Sequence, residues 1–394
     1  MKITGITVTP TQIPLVKPSK FSGGTRRSAP GCLLQIETDE GITGLGEAVG
    51  PTIPVIRTVL DEEFRPFLIG QDPMRSEFIA HQLEEYAVNW PEIGLYALAG
   101  VEMALLDIQG KVLNTPVVQL LGGVYQAHVR FNGYLFIADA QENARDAAAY
   151  VERGFTELKM KCGRDTDYDV ARLRAVRDTV GPDVKIRLDA NMGWSVSTAV
   201  RAIRRFEPYG VLFVEQPTPR RDVRAMAEVA RAVDVPIGAD EGCATIDDAL
   251  KLIEARACEV FVIYVSEAGG PRKARIIADL AYTAGISCVL GTWAETGVAT
   301  AAALHTIASS RAFTFASDTH YTLQADDLIA QPFDFSNGIV PVPTAPGLGV
   351  ALDAAKMARF GSEPVREMVF YDYDNPDFIP RTGVIIPDTP RNSR

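Results

Sequence analysis

The chain has 394 residues, of which 47% are hydrophobic and 23% charged, and its formal net charge is −11. This composition is ordinary for a globular enzyme, and the length exceeds that of one ordinary domain. Nucleic acids and anionic membrane surfaces attract clustered positive charge, so neither is expected as a partner. The five cysteines have no CxxC spacing, which argues against a disulfide framework or a zinc ribbon. With no apolar leader and no apolar run approaching a membrane span, we expect a cytoplasmic protein.

Residues 1–125 predict an α+β domain. Alternating apolar residues predict strands at 3–9, 32–38 and 43–48. Helical periodicity follows over 54–122, with a buried helix at 95–111. The connection at 16–27 is rich in Gly and Pro and predicts a mobile loop. The loop has four cations, which could bind an anionic ligand or remain solvated. They are Lys17, Lys20, Arg26 and Arg27.

Five short apolar runs follow, and each ends in a charged or polar residue. These residues are Lys161, Asp189, Glu215, Asp240 and Tyr264, at separations of 28, 26, 25 and 24 residues. One strand, one helix and two short loops need about this length, so the residues recur at the C-terminal ends of successive strands. In a (β/α)8 barrel those ends surround the mouth that carries the chemistry. A surface hairpin would alternate in the same way but would not keep the spacing.

The spacing predicts an α/β fold, a TIM-type barrel of seven or eight βα units with an α+β capping domain. The barrel is expected to occupy 126–330, with its first strand near 129–135 and its last near 313–318. Residues 331–394 are rich in turn signals and cannot supply another barrel strand. We expect this C-terminal segment to complete the capping domain.

Three carboxylates at adjacent strand ends, Asp189, Glu215 and Asp240, can converge on one cation. All-oxygen ligation favours Mg²⁺, whereas zinc would favour His or Cys, and none of the four histidines lies on these strands. The alternative is that the carboxylates cap helices or pair with lysines. Without a cation they would repel one another, and one would be pushed toward protonation.

Lys159 and Lys161 share one face of the preceding strand, because successive strand residues point to opposite sides. Neighbouring ammonium groups lower each other's affinity for a proton, so one lysine could act as a base near neutral pH. The alternative is salt bridges to Asp189 or Glu241. With a carboxylate substrate on Mg²⁺, Lys161 would remove the α-proton and the cation would stabilise the resulting enediolate.

Together these residues resemble the enolase superfamily, and within it the mandelate racemase and muconate lactonizing enzyme family. The matching motifs are KMK at 159–161, DAN at 189–191, EQP at 215–217, ADE at 239–241, GG at 269–270, and ALLDIQGK at 104–111 before LLGG at 120–123. The likeness is nearest to the muconate cycloisomerase side, through the segments at 13–20, 291–295 and 346–349.

The resemblance implies roles for the site residues. Asp189, Glu215 and Asp240 would be the Mg²⁺ ligands, Lys161 the acid/base, and Lys159 its electrostatic partner at the substrate carboxylate. Capping-domain loops at 21–25 and 49–54 would close over the substrate. The resemblance also implies a homo-oligomer, either a dimer or an octamer.

The sequence departs from the family pattern at the sixth strand. Muconate lactonizing relatives carry a second lysine there, and this chain has Tyr264. The seventh-strand histidine of the mandelate racemase type is also absent, because residues 291–293 are Gly, Thr and Trp. Racemisation needs two opposed bases, and tyrosine, with a pKa near 10, is a poor one, so a racemase or epimerase is disfavoured. Tyr264 could donate a hydrogen bond, act as an acid or simply line the pocket.

We therefore expect a Mg²⁺-dependent enzyme that acts on the α-proton of a small carboxylate through a metal-stabilised enediolate. Dehydration of a hydroxy or sugar acid is the first hypothesis, and lactonizing cycloisomerisation is the alternative. A metal-binding protein without catalysis is less favoured because Lys161 and all three carboxylates are intact. The substrate-binding candidates are Phe21, Asn191, Trp293, Asp318 and His320. For His320 the alternative is a residue on a surface loop.

Overall fold

The computed structural model describes residues 1–22, 24–163 and 165–361. The capping domain is a three-stranded antiparallel sheet packed against helices, with strand order β1-β2-β3. A π-helical turn at Val59–Phe64 joins its first two helices. The elements are β1 (Ile3–Phe21), β2 (Gly24–Thr38), β3 (Thr43–Ala48), α1 (Ile53–Thr58), α2 (Arg65–Leu68), α3 (Ser76–Tyr86), α4 (Pro91–Val112) and α5 (Val117–Leu120).

The first two strands form a hairpin that extends through most of the predicted loop at 16–27. Ser19 pairs with Arg26 and Phe21 with Gly24, after a register shift between Pro14 and Ser19. The loop prediction, which rests on the Gly- and Pro-rich composition, is wrong for most of this segment. Proline is tolerated where a ladder is irregular, and Pro18 falls within the shifted segment. The hairpin tip places Phe21 and Arg26 at the barrel mouth.

Helix α4 is the core helix of the capping domain. It passes close to β3 because Gly44 and Gly46 lack side chains, and a Cβ at either would overlap backbone carbonyl oxygens of the helix. By length and composition alone α4 could cross a membrane, but 89% of its most apolar window is buried inside this protein. The burial is that of a core helix, in agreement with the buried helix predicted at 95–111.

The second domain is a sheet of seven parallel strands, in the order β5 to β11, with helices on its outer side. Strand β4 (His128–Arg130) precedes this sheet and is not part of it. The seven strands are β5 (Gly133–Leu135), β6 (Glu157–Lys161), β7 (Lys185–Asp189), β8 (Val211–Glu215), β9 (Ile237–Ala239), β10 (Val260–Ile263) and β11 (Ser287–Leu290). The helices are α6 (Ala140–Glu152), α7 (Thr166–Val180), α8 (Val196–Phe206), α9 (Val223–Ala232), α10 (Ile246–Ala255), α11 (Val265–Ala268), α12 (Pro271–Thr283) and α13 (Gly297–Ala308).

An irregular segment at 312–318 closes the barrel between β11 and the residues that lead into β5. The Asp318 amide donates to the carbonyl oxygen of Leu290 at 2.8 Å, and Ser317 forms a parallel bridge with Phe131. The segment therefore takes the place of an eighth strand. The predicted TIM-type barrel with an α+β capping domain is confirmed.

Side chains alternate along the barrel strands as predicted. Leu158, Met160, Ile186 and Leu188 belong to the large core cluster that includes the surrounding helices. A second cluster, Phe213, Val260, Val262 and Val289, fills the barrel interior. Residues two positions further along the same strands therefore point into the mouth.

The C-terminal segment contacts both domains. Strand β12 (Ile339–Pro341) pairs with β4, and helix α14 (Ala354–Phe360) packs near β1. The Leu348 amide donates to Asp107 of α4 at 2.8 Å, which ties the segment to the capping domain. Of the segment predicted at 331–394, residues 362–394 lie outside the described part of the chain.

Candidate active site

Three carboxylates lie together at the barrel mouth. Asp189 ends β7, Glu215 ends β8, and Asp240 follows β9, so adjacent strands bring them to one place. One oxygen of each lies within 4.8 Å of one oxygen of the others, and all three side chains are buried. Glu215 Oε2 and Asp240 Oδ1 are buried and accept no hydrogen bond. This oxygen-only set, with acceptor atoms to spare, suits a hard divalent cation.

The electrostatics of this carboxylate cluster also favour a cation. Burial, followed by the charges of Glu241 and Glu215, raises the pKa of Asp240 well above its usual value. Burial and the charge of Asp189 raise the pKa of Glu215. Burial acts the same way on Asp189, but Lys159 and Lys161 outweigh it and lower the pKa of Asp189. A bound divalent cation would relieve the repulsion among the three carboxylates.

Lys159 is fully buried among carboxylates. Its Nζ lies 2.5 Å from Glu215 Oε1, 2.8 Å from Asp318 Oδ2 and 3.1 Å from Asp189 Oδ2. Burial opposes its charge, but Asp189 and Glu215 outweigh that effect and raise the pKa of Lys159 well above the usual value. The mutual lowering expected for the two lysines is therefore wrong for Lys159, which is a fixed cation.

Lys161 lies two residues further along β6 and reaches the cavity. Its Nζ donates to Asp189 Oδ2 at 2.5 Å and to Asn191 Oδ1 at 3.0 Å. The Asn191 amide group donates in turn to Glu241 Oε1 at 3.3 Å. The alternative of a salt bridge to Asp189 is thus realised in this structure, and Asn191 contacts the lysine as well as the cavity.

A cavity of about 390 Å³ lies between the two domains and above the carboxylates. The capping domain contributes Ser19, Phe21, Arg26, Pro51, Glu92 and Tyr96 to its wall. The barrel contributes Tyr134, Phe136, Lys161, Asn191, Met192, Arg220, Asp240, Glu241, Tyr264, Glu267, Thr292, Trp293 and His320. Both segments that were expected to cover the substrate, at 21–25 and 49–54, reach this wall.

Tyr264 faces Lys161 across the mouth. Strands β6 and β10 are separated by β7, β8 and β9, so residues at their ends lie on opposite sides of an eight-membered barrel. The ring fits because Gly291 has no side chain, and a Cβ there would overlap it. Burial, followed by the charge of Asp240, raises the pKa of Tyr264 well above 10. Tyr264 therefore stays protonated and is a hydrogen-bond donor rather than a base.

His320 is a buried cavity residue and not a surface one. Arg26 Nη1 lies 3.0 Å from His320 Nδ1, and an arginine can only donate, so Nδ1 is the acceptor and Nε2 carries the proton. Nε2 is buried without a hydrogen-bond partner. Burial and the charges of Arg26 and Lys161 hold the pKa of His320 well below 6.5. The side chain therefore offers a neutral N–H group to the cavity.

The other substrate-binding candidates divide between the cavity and the core. The Phe21 ring lies 6.0 Å from Lys161 Nζ, and Trp293 donates its Nε1 to Glu267 Oε1 at 2.7 Å, both on the cavity wall. Asp318 is buried below Lys159, accepts from Asn132 at 2.6 Å and pairs with Arg187, and it is not part of that wall. Asp318 is therefore placed to orient Lys159.

Sequence reasoning missed three charged residues on the wall, Glu92, Arg220 and Glu267. Glu92 lies in the first turn of α4, and Arg220 and Glu267 come from a loop and a short helix after the barrel strands, where no periodic signal marks them. The sequence does not distinguish Arg26 from the other three cations of its segment. In the structure Arg26 is buried on the cavity wall, whereas Lys17 pairs with Asp146 at 2.8 Å.

Family models cover most of the chain. Residues 3–122 match the mandelate racemase / muconate lactonizing enzyme N-terminal domain, and residues 142–356 match the enolase C-terminal domain-like family. The chain belongs to the mandelate racemase and muconate lactonizing enzyme family. It is thus an enzyme of the enolase superfamily, as the sequence predicted.

Relatives in this family differ in reaction. The chain is 33% identical over 360 residues to the N-succinyl-L-Arg/Lys racemase of Bacillus cereus, covering 90% of this chain and 96% of the relative. It is 33% identical over 360 residues to the L-Ala-D/L-Glu epimerase of Bacillus subtilis, an alignment that covers 89% of this chain and 97% of the relative. It is 31% identical over 370 residues to muconate cycloisomerase 1 of Rhodococcus opacus, which covers 90% of this chain and 98% of that relative.

Solved structures give the same picture for the fold. The Bacillus cereus racemase superposes with a TM-score of 0.87 at 31% identity, over 91% of this chain and 98% of that structure. The 2-chloromuconate cycloisomerase of Rhodococcus opacus 1CP gives 0.88 at 26% identity, over 92% and 100%. The fold is therefore shared by two reaction types, and the side chains at the mouth must decide the chemistry.

Proposed function

We propose that this protein dehydrates a small β-hydroxy carboxylate by syn elimination, with Lys161 as the only proton-transfer group. The observation that carries the proposal is that Lys161 and Tyr264 lie on opposite sides of the barrel mouth. Among the described wall residues Lys161 is the one lysine, and the group opposite it is a protonated phenol. One base can complete an elimination but cannot interconvert two enantiomers.

Asp189, Glu215 and Asp240 would hold Mg²⁺, because they supply only oxygen atoms and two of those atoms lack partners. When bound, the cation would stabilise negative charge on the substrate carboxylate and so acidify the α-proton. A dipeptide epimerase of Enterococcus faecalis, 32% identical to this chain, was solved in complex with Mg. Lys159, a fixed cation beside the carboxylates, would add to the attraction for a substrate carboxylate.

Lys161 would first act as base and then as acid on one face of the substrate. As a neutral amine it takes the proton from Cα, and the resulting ammonium returns that proton to the β-hydroxyl group. The Cα–H and Cβ–O bonds break, a Cα=Cβ bond forms, and water leaves. Since the same atom handles the proton twice, no second acid or base is needed, and the elimination is syn.

His320 is a neutral donor on the wall and would orient the leaving hydroxyl through its Nε2–H, which lacks a partner among the described residues. Tyr264 lies across the mouth from Lys161 and would border the opposite face of the substrate. Neither side chain can accept the α-proton, because the acceptor nitrogen of His320 is occupied by Arg26 and the pKa of Tyr264 is too high. This is why we favour dehydration even though several relatives are named racemases or epimerases.

A muconate-type cycloisomerisation is the second candidate, since one lysine would suffice and cycloisomerases are among the relatives. Such a substrate carries two carboxylates. The cavity wall carries Glu92, Glu241 and Glu267 in addition to Asp240, and the cations Arg26, Arg220 and Lys161. Arg220 is paired with Glu92, and a second carboxylate placed beside Glu241 or Glu267 would be repelled, which favours a substrate with one carboxylate.

The test is a screen in D₂O followed by NMR. The Mg²⁺-loaded protein is incubated with β-hydroxy carboxylates, including sugar acids and hydroxy amino acids, and with N-acyl amino acids, dipeptides and cis,cis-muconate. We expect loss of water from one β-hydroxy class, a loss of roughly 10²-fold or more in Lys161→Ala, and no more than about a tenfold loss in Tyr264→Phe. Racemisation of an amino-acid derivative, or lactone formation from muconate, in place of dehydration would refute the proposal.

A further inference from the structure

Glu267 is a buried carboxylate with one oxygen held and the other facing the cavity. Tyr96 donates to its Oε1 at 3.2 Å and Trp293 donates to the same atom at 2.7 Å. Oε2 accepts no hydrogen bond from the part of the chain that the structure describes. The residue is only 9% exposed and lines the cavity, so this oxygen can be satisfied only by a ligand or water inside it.

Aromatic rings surround this carboxylate. Trp293 lies against Tyr96 in a T-shaped contact with centroids 5.9 Å apart, and against Tyr264 with centroids 6.4 Å apart. All three rings line the cavity. A carboxylate beside several aromatic faces is an arrangement that attracts a positively charged nitrogen, through charge and through the ring quadrupoles.

No cation of the described wall forms an ion pair with Glu267. The charge of Arg220 lowers the pKa of Glu267, but Arg220 Nη2 lies 2.6 Å from Glu92 and pairs with that residue instead. Arg26 is directed to His320 and to the carbonyl oxygen of Trp293. Burial, followed by the charge of Glu241, raises the pKa of Glu267 to about 7, although Trp293, Tyr96 and Arg220 oppose the rise.

We propose that Glu267, with Tyr96 and Trp293, binds a protonated nitrogen of the substrate, so that the natural substrate is a carboxylate that also carries a cationic amine. The inference rests on the proposed function in one respect, that the substrate carboxylate lies at Lys159 and the carboxylate cluster. A neutral hydroxyl group could also donate to Glu267 Oε2, but it would leave the buried charge uncompensated and would gain little from the rings.

The test compares non-reactive ligands that differ only in charge. Straight-chain ω-amino carboxylates of two to five carbons in the acid chain are paired with alkyl carboxylates in which a methyl group replaces the ammonium group. Affinity for the Mg²⁺-loaded protein is measured by calorimetry at pH 8, where Glu267 is ionised. For the best chain length we expect the amine to bind on the order of tenfold to a hundredfold more tightly than its alkyl partner.

Glu267→Gln is the diagnostic variant, since glutamine keeps a carbonyl oxygen for Tyr96 and Trp293 and should fold normally. It should bring the amine-to-alkyl ratio to within about threefold of unity, through weaker binding of the amine. Glu92→Gln removes a charge from the same wall, but one that is paired with Arg220 and largely exposed. That control should retain most of the preference for the amine.

Equal affinity for both series in the wild-type protein would overturn the inference, and so would a preference that persists in Glu267→Gln. Failure of both series to bind would overturn it together with the proposed carboxylate position. A preference for amines without dehydration of any hydroxy compound would leave the nitrogen site standing and refute only the proposed reaction.

Discussion

Glu47 joins the two domains, and its charge makes this junction dependent on pH. It lies on β3 of the capping domain and is fully buried. It accepts hydrogen bonds from the Thr296 amide at 3.0 Å, the Thr296 hydroxyl at 2.8 Å and the Ala299 amide at 3.0 Å, all at the start of α13. Burial raises the pKa of Glu47 from 4.5 to about 7, with Glu295 adding repulsion, although these three donors oppose the rise.

The sign of the effect follows from proton binding. Because the folded state holds the Glu47 proton more tightly than the unfolded state, its contribution to stability is full below pH 4.5 and is lost as the pH rises through 7. A shift from 4.5 to about 7 is equivalent to roughly 3 kcal/mol, most of it expressed between pH 5 and pH 8. Glutamine cannot ionise, so Glu47→Gln should gain about 2 to 3 kcal/mol relative to the wild type over this interval.

The assay is urea unfolding at pH 5 and pH 8 with EDTA present, so that metal binding does not contribute. The difference in unfolding free energy between Glu47→Gln and the wild type is compared at the two pH values. Glu37 is an exposed glutamate on the neighbouring strand β2, and Glu37→Gln is the matched control that should parallel the wild type. If Glu47→Gln also parallels the wild type, the assignment of Glu47 as a buried, poorly stabilised carboxylate is refuted.

Three further predictions concern the metal, the attachment of β3 and the C-terminal segment to α4, and the histidine. Asp240→Asn should weaken Mg²⁺ binding by roughly tenfold or more, because one of three anionic ligands is neutralised; unchanged affinity in calorimetry would place the metal elsewhere. Asp107→Ala should lower the free energy of unfolding by about 2 to 4 kcal/mol, because two buried backbone amides lose their acceptor; a loss below about 1 kcal/mol in urea unfolding would contradict this. The pKa of His320 is held well below 6.5 by burial and Arg26, so ¹⁵N NMR should show the Nε2-protonated neutral ring from pH 6 to 8, and Arg26→Met should raise that pKa. A wild-type midpoint near 6.5 would be the contrary result.

The barrel and the carboxylate cluster could be predicted because they depend on local regularity. A repeat of about 25 residues fixes strand ends, and strand ends in a parallel barrel meet at one mouth. Asp189, Glu215 and Asp240 are therefore adjacent in space although far apart in sequence. The same regularity placed Lys159 and Lys161 on the interior face of β6.

The surroundings of these residues could not be predicted, because they depend on how the capping domain meets the barrel. Arg26 contacts His320 across 294 positions of sequence, and Tyr96 contacts Glu267 across 171. No periodic pattern spans such distances. The charge state of Lys159 depends on how closely Asp189 and Glu215 approach its Nζ, and the spacing of strands along the sequence does not fix such distances.

The stereochemical course of the reaction tests the central proposal most directly. Once a hydroxy carboxylate substrate is found, the two Cβ diastereomers of a cyclic substrate are offered separately to the Mg²⁺-loaded protein, because a ring prevents rotation about the Cα–Cβ bond. We predict that only the diastereomer able to place Cα–H and the β-hydroxyl on the same side will lose water, because Lys161 both takes and returns the proton. Anti elimination, or inversion at Cα without loss of water, would show that a second group opposite Lys161 transfers protons and would contradict a one-base enzyme.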